Sequence, residues 1–333
     1  MAISLKERFR FTKLNDLLLV GFITSIGVAL LNPVWSLYFD SFFHDASLVG
    51  IFSSILSVAA LVSFFIFTPI IEKYKENKIY FYAVLASVLI LILLAFNNNF
   101  NSLIILVVIY VMLSVLRAES FGIMFRESSK TKALGKNEGL VYGLSNIGWL
   151  IGALFIIPLL KSYKITTPFL FSALFTFLAF LVFTFYKGKF RKFRNIEINL
   201  IKNIKDFFKN KELRNLYISS IGTSLWLGFI FIYIPLYIVR NNYDKSFVGT
   251  FLFIFLIPYL IEYFIGKKSD KIGTKSFITN GYLIITALAF LAFIFNNFKL
   301  TLLFLVLSSF GVAFTGPTRE IHFFKSVTKK EEE

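Results

Sequence analysis

The chain is 333 residues long, 57% hydrophobic and 19% aromatic, with a net charge of +16, two histidines and no cysteine. Charged residues make up only 16%, where soluble domains carry about a quarter, which excludes a water-soluble globular protein. The lack of cysteine excludes a disulfide framework and any thiolate metal site. Apolar runs of about 18 to 25 residues recur along the whole chain, each long enough to cross the ~30 Å hydrocarbon core of a bilayer.

Ten spans are expected, at 16–38, 47–70, 79–96, 102–125, 139–160, 167–186, 215–239, 246–265, 276–295 and 299–318. The fold class is therefore all-α integral membrane, a polytopic bundle of about ten transmembrane helices, six plus four. With the amino terminus in the cytoplasm, Lys and Arg crowd into the amino-terminal tail, the loops at 71–78, 126–138 and 266–275, the stretch 187–214 and the carboxyl tail. The opposite side holds Lys161, Lys164, Arg240, Lys245 and Lys299. This asymmetry is what the positive-inside rule demands. The basic charge is topological and no nucleic-acid partner is expected. A multi-pass protein of the cell membrane follows, with both termini cytoplasmic.

The first span begins at Asn15-Asp16, which offers capping groups, and carries a thin polar face of Ser25, Asn32 and Ser36. The second opens at Ser47-Leu48-Val49-Gly50 and ends in the charged run Glu72-Lys73-Tyr74-Lys75-Glu76-Asn77-Lys78. Arg117 lies well inside the fourth span, with Tyr110, Ser114 and Phe121 on its helical face. A cation there is costly and by default faces a cavity or a partner, so it serves substrate or coupling, or else a structural ion pair. Glu119 sits about 200° around the helix from it and is expected to pair with Arg126. The fifth span shows Tyr142, Asn146 and Trp149 on one side. Its other side is a small-residue stripe of Ser145, Gly148 and Gly152 that permits close helix packing.

Residues 187–214 form a basic linker in which Leu200, Ile201, Ile204, Phe207 and Phe208 fall at helical spacing, an amphipathic helix for the inner leaflet. The expected domains are thus an amino-terminal six-helix bundle over 1–186, the linker over 187–214, and a partial four-helix bundle over 215–333. After the linker the pattern restarts. Ser246-Phe247-Val248-Gly249 repeats Ser47-Leu48-Val49-Gly50, Pro235 mirrors Pro33, and Arg319-Glu320 mirrors Arg126-Glu127. The seventh span aligns Ser219, Thr223, Trp226, Ile230, Tyr233 and Tyr237 on one face, as a substrate wall or as packing. Glu262, near the end of the eighth span, is either a gate or proton-site carboxylate or is neutralised by Lys267 and Lys268. A tight basic loop is expected at 266–275, with Gly266 and Gly273 permitting the reversal.

The pattern Gly266-x-x-x-Asp270-Lys271-x-Gly273-x-Lys275 resembles the signature loop of the major facilitator superfamily of secondary transporters. Glu72 and Lys73 hold the same place in the first half, without the glycines. Parallel six-helix repeats are the architecture of that family. The resemblance implies alternating access for a small solute, with the first, fourth, seventh and tenth helices lining the path. It implies gate pairs, Asp270 with Arg319 and Glu72 with Arg126, and a contact of Asp270 with the start of the fifth span. Arg117 resembles the arginine of the family's fourth-helix pattern Arg-x-x-Gln-Gly, associated with proton-coupled export. Here the glutamine is absent and Gly122 comes one residue late. No cofactor, catalytic residue or metal ligand is implied.

Twelve helices are usual in the family, so the pattern at the carboxyl end reads as a truncated product, a working short form, or one completed by other helices or a second copy. The rival functions are an inactive fragment and, from another class, a membrane-embedded transferase built on the outer cluster Asp40, His44 and Asp45.

Overall fold

The computed structural model describes residues 13–129, 134–185, 205, 207–295 and 297–326; the side chains of residues 13, 72, 134–136, 138, 270, 271 and 324–326 are outside that description. Every extended element among these residues is helical. In chain order they are α1 (Lys13–Phe43), α2 (Ala46–Lys73), α3 (Glu76–Phe96), α4 (Phe100–Ser128), α5 (Leu134–Ser162), α6 (Thr167–Thr184), α7 (Lys211–Arg240), α8 (Ser246–Leu256), a 3-10 turn (Ile257–Ile261), α9 (Glu262–Ile272), α10 (Thr274–Ile294) and α11 (Phe298–Ser326). Ten stretches among the described residues are long and apolar enough to cross a membrane, with α8, the 3-10 turn and most of α9 forming one of them. The chain divides into two compact units, Met1–Ile196 and Glu197–Glu333.

Helix starts follow local chemistry, and the two units repeat it. Asp45 accepts from the Ser47 and Leu48 amides at 2.6 and 3.2 Å, and Asp244 accepts from the Ser246 amide at 2.8 Å. Each uses a carboxylate to satisfy amides that a first helical turn leaves free. A residue in the left-handed region precedes each cap, His44 at φ +53° and Asn242 at φ +62°. Asp45 thus spends its carboxylate on a helix end, which weakens the transferase reading of the Asp40, His44 and Asp45 cluster.

In the first unit α1 packs against α5 and α6, α3 against α4 and α6, and α2 against α4. Leu17, Val20, Tyr80, Val84, Met124, Phe125, Ala179 and Phe183 form the core at the end that carries the α2–α3 turn. At the other end Trp35, Tyr38 and Phe39 of α1 meet Phe169 and Phe52. The small-residue stripe of α5 lies against α1. A side-chain carbon on Gly152 would come 2.5 Å from Ala29 Cβ and 2.8 Å from the Ile26 carbonyl, and one on Gly148 would collide with Ser25.

In the second unit α10 and α11 pack through facing glycines. A Cβ on Gly281 would lie 2.7 Å from the Gly311 carbonyl, and one on Gly311 would lie 2.5 Å from the Gly281 carbonyl. Small residues let membrane helices approach until dispersion contacts take over.

Three expectations change here. The basic loop at 266–275 is helical through Ile272, and the reversal falls on Gly273 alone, at φ +107°, where a side chain would be strained. Gly266 is inside α9, and a Cβ there would meet Ile321 and Pro317 of α11 at 3.4 and 3.8 Å, so it serves helix packing. Arg319 likewise lies inside a helix that runs to Ser326, not at its end. The eighth span, expected to be continuous, is broken at Ile257–Ile261, where Pro258 cannot donate to the ladder. The amphipathic helix of the linker falls largely on residues outside the description. Phe208, at its described end, packs edge-on to Tyr217 at 5.5 Å.

Candidate transport site

Buried polar atoms without partners are rare in folded proteins and each needs a reason. Among the described residues these are Asn77 Oδ1, Arg117 Nη1, Glu119 Oε2, Ser120 Oγ, Ser129 Oγ and Trp226 Nε1. Three of them fall on the single turn of α4 from Arg117 to Ser120. That turn is the polar centre of the first unit.

Arg117 is 6% exposed. Its electrostatic neighbour is Tyr80 of α3, whose hydroxyl also hydrogen-bonds Thr24 of α1. Phe121, one turn on, fits against Gly21 of α1 and Tyr80. The Arg117 face of α4 is therefore turned into the α1–α3 side of its own unit. Tyr110, placed beside Arg117 by helical spacing, is instead packed on Trp35, with ring centroids 5.5 Å apart. Ser114 donates to the Val111 carbonyl at 2.7 Å. On α1 the thin polar face is mostly self-satisfied: Ser25 donates to Phe22 and Ser36 to Pro33. Asn32 is half-buried. On α5, Asn146 and Trp149 are half-buried and Tyr142 is exposed.

The aromatic stripe of α7 splits in two. Thr223 is buried, and its hydroxyl lies 2.7 Å from the Tyr282 hydroxyl of α10. Tyr282 in turn donates to the Ser219 carbonyl, so the Thr223 hydroxyl is the donor between them. Ile230 is fully buried. That part of the stripe joins α7 to α10 and is packing. Trp226 stacks with Phe229 at 5.7 Å, and Tyr233 lies beside Phe229 and remains exposed. Tyr282 was missed from sequence, since a lone tyrosine in an apolar run carries no periodic signal.

Glu262, the first residue of α9, is 9% exposed. Its Oε1 lies 3.2 Å from the place a side chain on Gly316 of α11 would occupy. Glu262 and Arg319 are both electrostatic neighbours of Tyr259 in the 3-10 turn. The carboxylate is thus turned toward α11, while Lys267 and Lys268 are exposed. Arg319 donates from Nε to the Thr315 carbonyl at 3.3 Å.

The gate residues are only partly visible. The side chains of Glu72, Asp270 and Lys271 lie outside the described residues, so the Asp270–Arg319 and Glu72–Arg126 pairs do too. Lys73 and Arg126 are exposed. Lys275 Nζ lies 3.6 Å from Glu212 Oε1 on an exposed surface, a pair worth little. Beside the Gly273 reversal, Thr274 meets His322 Nδ1 at 3.0 Å, tying the start of α10 to α11.

The sequence profile of the Major Facilitator Superfamily matches residues 17–328. The chain belongs to that family. A comparison with curated proteins returned no match. As a major facilitator protein it is a multi-pass membrane transporter, embedded in lipid and acting on a small solute. Facilitator proteins are transporters rather than enzymes.

Proposed function

We propose that this facilitator protein is a secondary active transporter that exports a small solute by alternating access, coupled to protons. The observation that carries the reading is Arg117: a guanidinium 6% exposed inside a membrane span, with Nη1 unpartnered. A charge held in that state is expensive in a bilayer and is retained where transport uses it. Asn32, Tyr110, Ser114, Tyr142, Asn146 and Trp149 of the first unit are assigned as solute-side or supporting positions around it. Trp226, Tyr233 and Glu262 take those roles in the second, and Thr223 supports them through its bond to Tyr282. Gly266, Asp270, Lys271, Gly273, Lys275 and Arg319, with Glu72, Lys73 and Arg126, form the gate. The six-helix bundle over 1–186, the linker over 187–214 and the bundle over 215–333 are the moving parts and their hinge, with both termini in the cytoplasm.

Aromatic walls with few charges favour amphipathic over anionic cargo. The test is ethidium movement in proteoliposomes of the full chain under an imposed pH gradient. Gradient-dependent flux that Arg117→Gln removes is expected. Flux independent of the gradient overturns proton coupling, and flux unaffected by Arg117→Gln overturns the assigned site.

A further inference from the structure

One face of α7 is bare where the matching face of α1 is covered. Lys211, Arg214, Ile218, Ile221 and Leu225 fall within about 80° of one another around the helix. All five are exposed, Leu225 at 70%. Leu216, Thr223 and Ile230 are buried on the opposite side.

The internal repeat supplies the comparison. With Asp45 matched to Asp244 and Tyr38 to Tyr237, Leu225 stands where α1 has Ile26, and Gly228 where α1 has Ala29. Ile26 is 5% exposed, because α5 brings Gly152 against its carbonyl and against Ala29. Gly228 has open space around it. The charges differ as well. Lys211 and Arg214 stand where the chain entering α1 has the uncharged Thr12 and Asn15. The face that protein covers has no cation at its end, and the bare face has two.

That combination fits a lipid better than a helix. Glu212, the acid of this first turn, lies 3.6 Å from Lys275 of α10, so the turn keeps a positive surplus. Beside the cations Phe208 packs edge-on to Tyr217, and both rings are exposed, as rings at headgroup level are. From Arg214 to Leu225 the stripe runs about 16 Å, close to one leaflet of a ~30 Å hydrocarbon core. A phosphate held by the cations therefore lays its acyl chains along Ile218, Ile221 and Leu225. A zwitterionic headgroup brings a cation of its own, whereas an anionic one brings only the charge that this turn complements.

We propose that this face of α7 is a binding site for an anionic phospholipid of the cation-rich leaflet. Its phosphate sits at Lys211 and Arg214 and its chains lie along Ile218 to Leu225. The site stands apart from the export reading above.

The chain has no cysteine, so Leu225→Cys in the full chain can carry a single bimane fluorophore. The labelled protein is placed in phosphatidylcholine vesicles containing phosphatidylglycerol or phosphatidylcholine with a nitroxide on the acyl chain, which quenches on contact. Each cation contributes about 1 kcal/mol, or about fivefold. Half-quenching by the glycerol lipid is therefore expected at a mole fraction at least about fivefold lower than by the choline lipid. Lys211→Gln combined with Arg214→Gln should remove that difference, and Lys267→Gln combined with Lys268→Gln on α9 should leave it. Raised salt, which screens the unsubstituted cations, should narrow it and carries the test if the α7 variant fails to fold. Equal quenching by the two lipids overturns the proposal, as does a preference that survives the α7 substitutions. Loss of the preference in the α9 variant also overturns it, by showing a general surface potential. Quenching by neither lipid overturns it too, since a second copy or another helix then covers the face.

Discussion

Arg117 and Glu119 stand two residues apart on opposite faces of α4, and Arg117 is turned toward Tyr80 and Thr24. Removing Arg117 separates a structural from a transport role. A guanidinium nitrogen buried without a partner destabilises its surroundings, so Arg117→Gln should leave the thermal midpoint unchanged or raise it. Transport should fall at least about tenfold, equivalent to about 1.4 kcal/mol. A lowered midpoint with transport preserved would mark Arg117 as a structural ion-pair member. Tyr282 gives a contrasting case. Its hydroxyl bonds Thr223 and the Ser219 carbonyl together, so Tyr282→Phe should cost about 1 kcal/mol. The readout is thermal unfolding of the detergent-solubilised protein, and an unchanged midpoint would show that the α7–α10 link contributes nothing.

At the scale of elements, close approach is the organising fact. Gly148 and Gly152 admit α1 to the surface of α5, and Gly281 and Gly311 bring α10 and α11 together. Enlarging these sites overpacks an interface whose neighbours are backbone carbonyls, which cannot move aside. Gly311→Leu and Gly152→Leu should each destabilise by about 1–3 kcal/mol or more, seen as loss of the monodisperse peak in size-exclusion chromatography. Gly228, on α7, has open space around it. Gly228→Ala should therefore be tolerated and gain up to about 1 kcal/mol of helix propensity. Equal behaviour of the three variants would refute packing as the reason for these glycines. The broken eighth span is the other element-scale feature. Pro258 interrupts the ladder one turn before Glu262, and the 3-10 turn brings Tyr259 beside the carboxylate and Arg319.

For the whole molecule the testable quantity is topology. The chain contains no cysteine, so single introduced thiols can be labelled against no background. Cysteines at Lys75 and Lys268 should react with a membrane-impermeant maleimide only from the cytoplasmic side. Those at Asn99 and Asn242 should react only from outside. The reverse pattern would invert the orientation that the cation distribution sets, since Lys and Arg near the span ends resist translocation. The repeat of helix starts at Asp45 and Asp244 sits at the same place in each unit.

Spans and repeat were legible in the chain because each depends on local chemistry, whereas the aspartates that cap the helix starts, Asp45 and Asp244, were not read from it. Apolar length meets the bilayer thickness, and cations stay where water is. The family was legible for the same reason, through the pattern from Gly266 to Lys275. What lies between helices was not. Helical spacing put Tyr110 with Arg117, yet Trp35 captured it; Thr223 looked like a wall residue until Tyr282, 59 positions away, took its hydroxyl. Gly266 read as a turn and proved to be a contact with α11. A single helix presents every face equally. Only the packed bundle decides which face meets a partner, because close contact and hydrogen-bond balance between distant residues are properties of the tertiary structure.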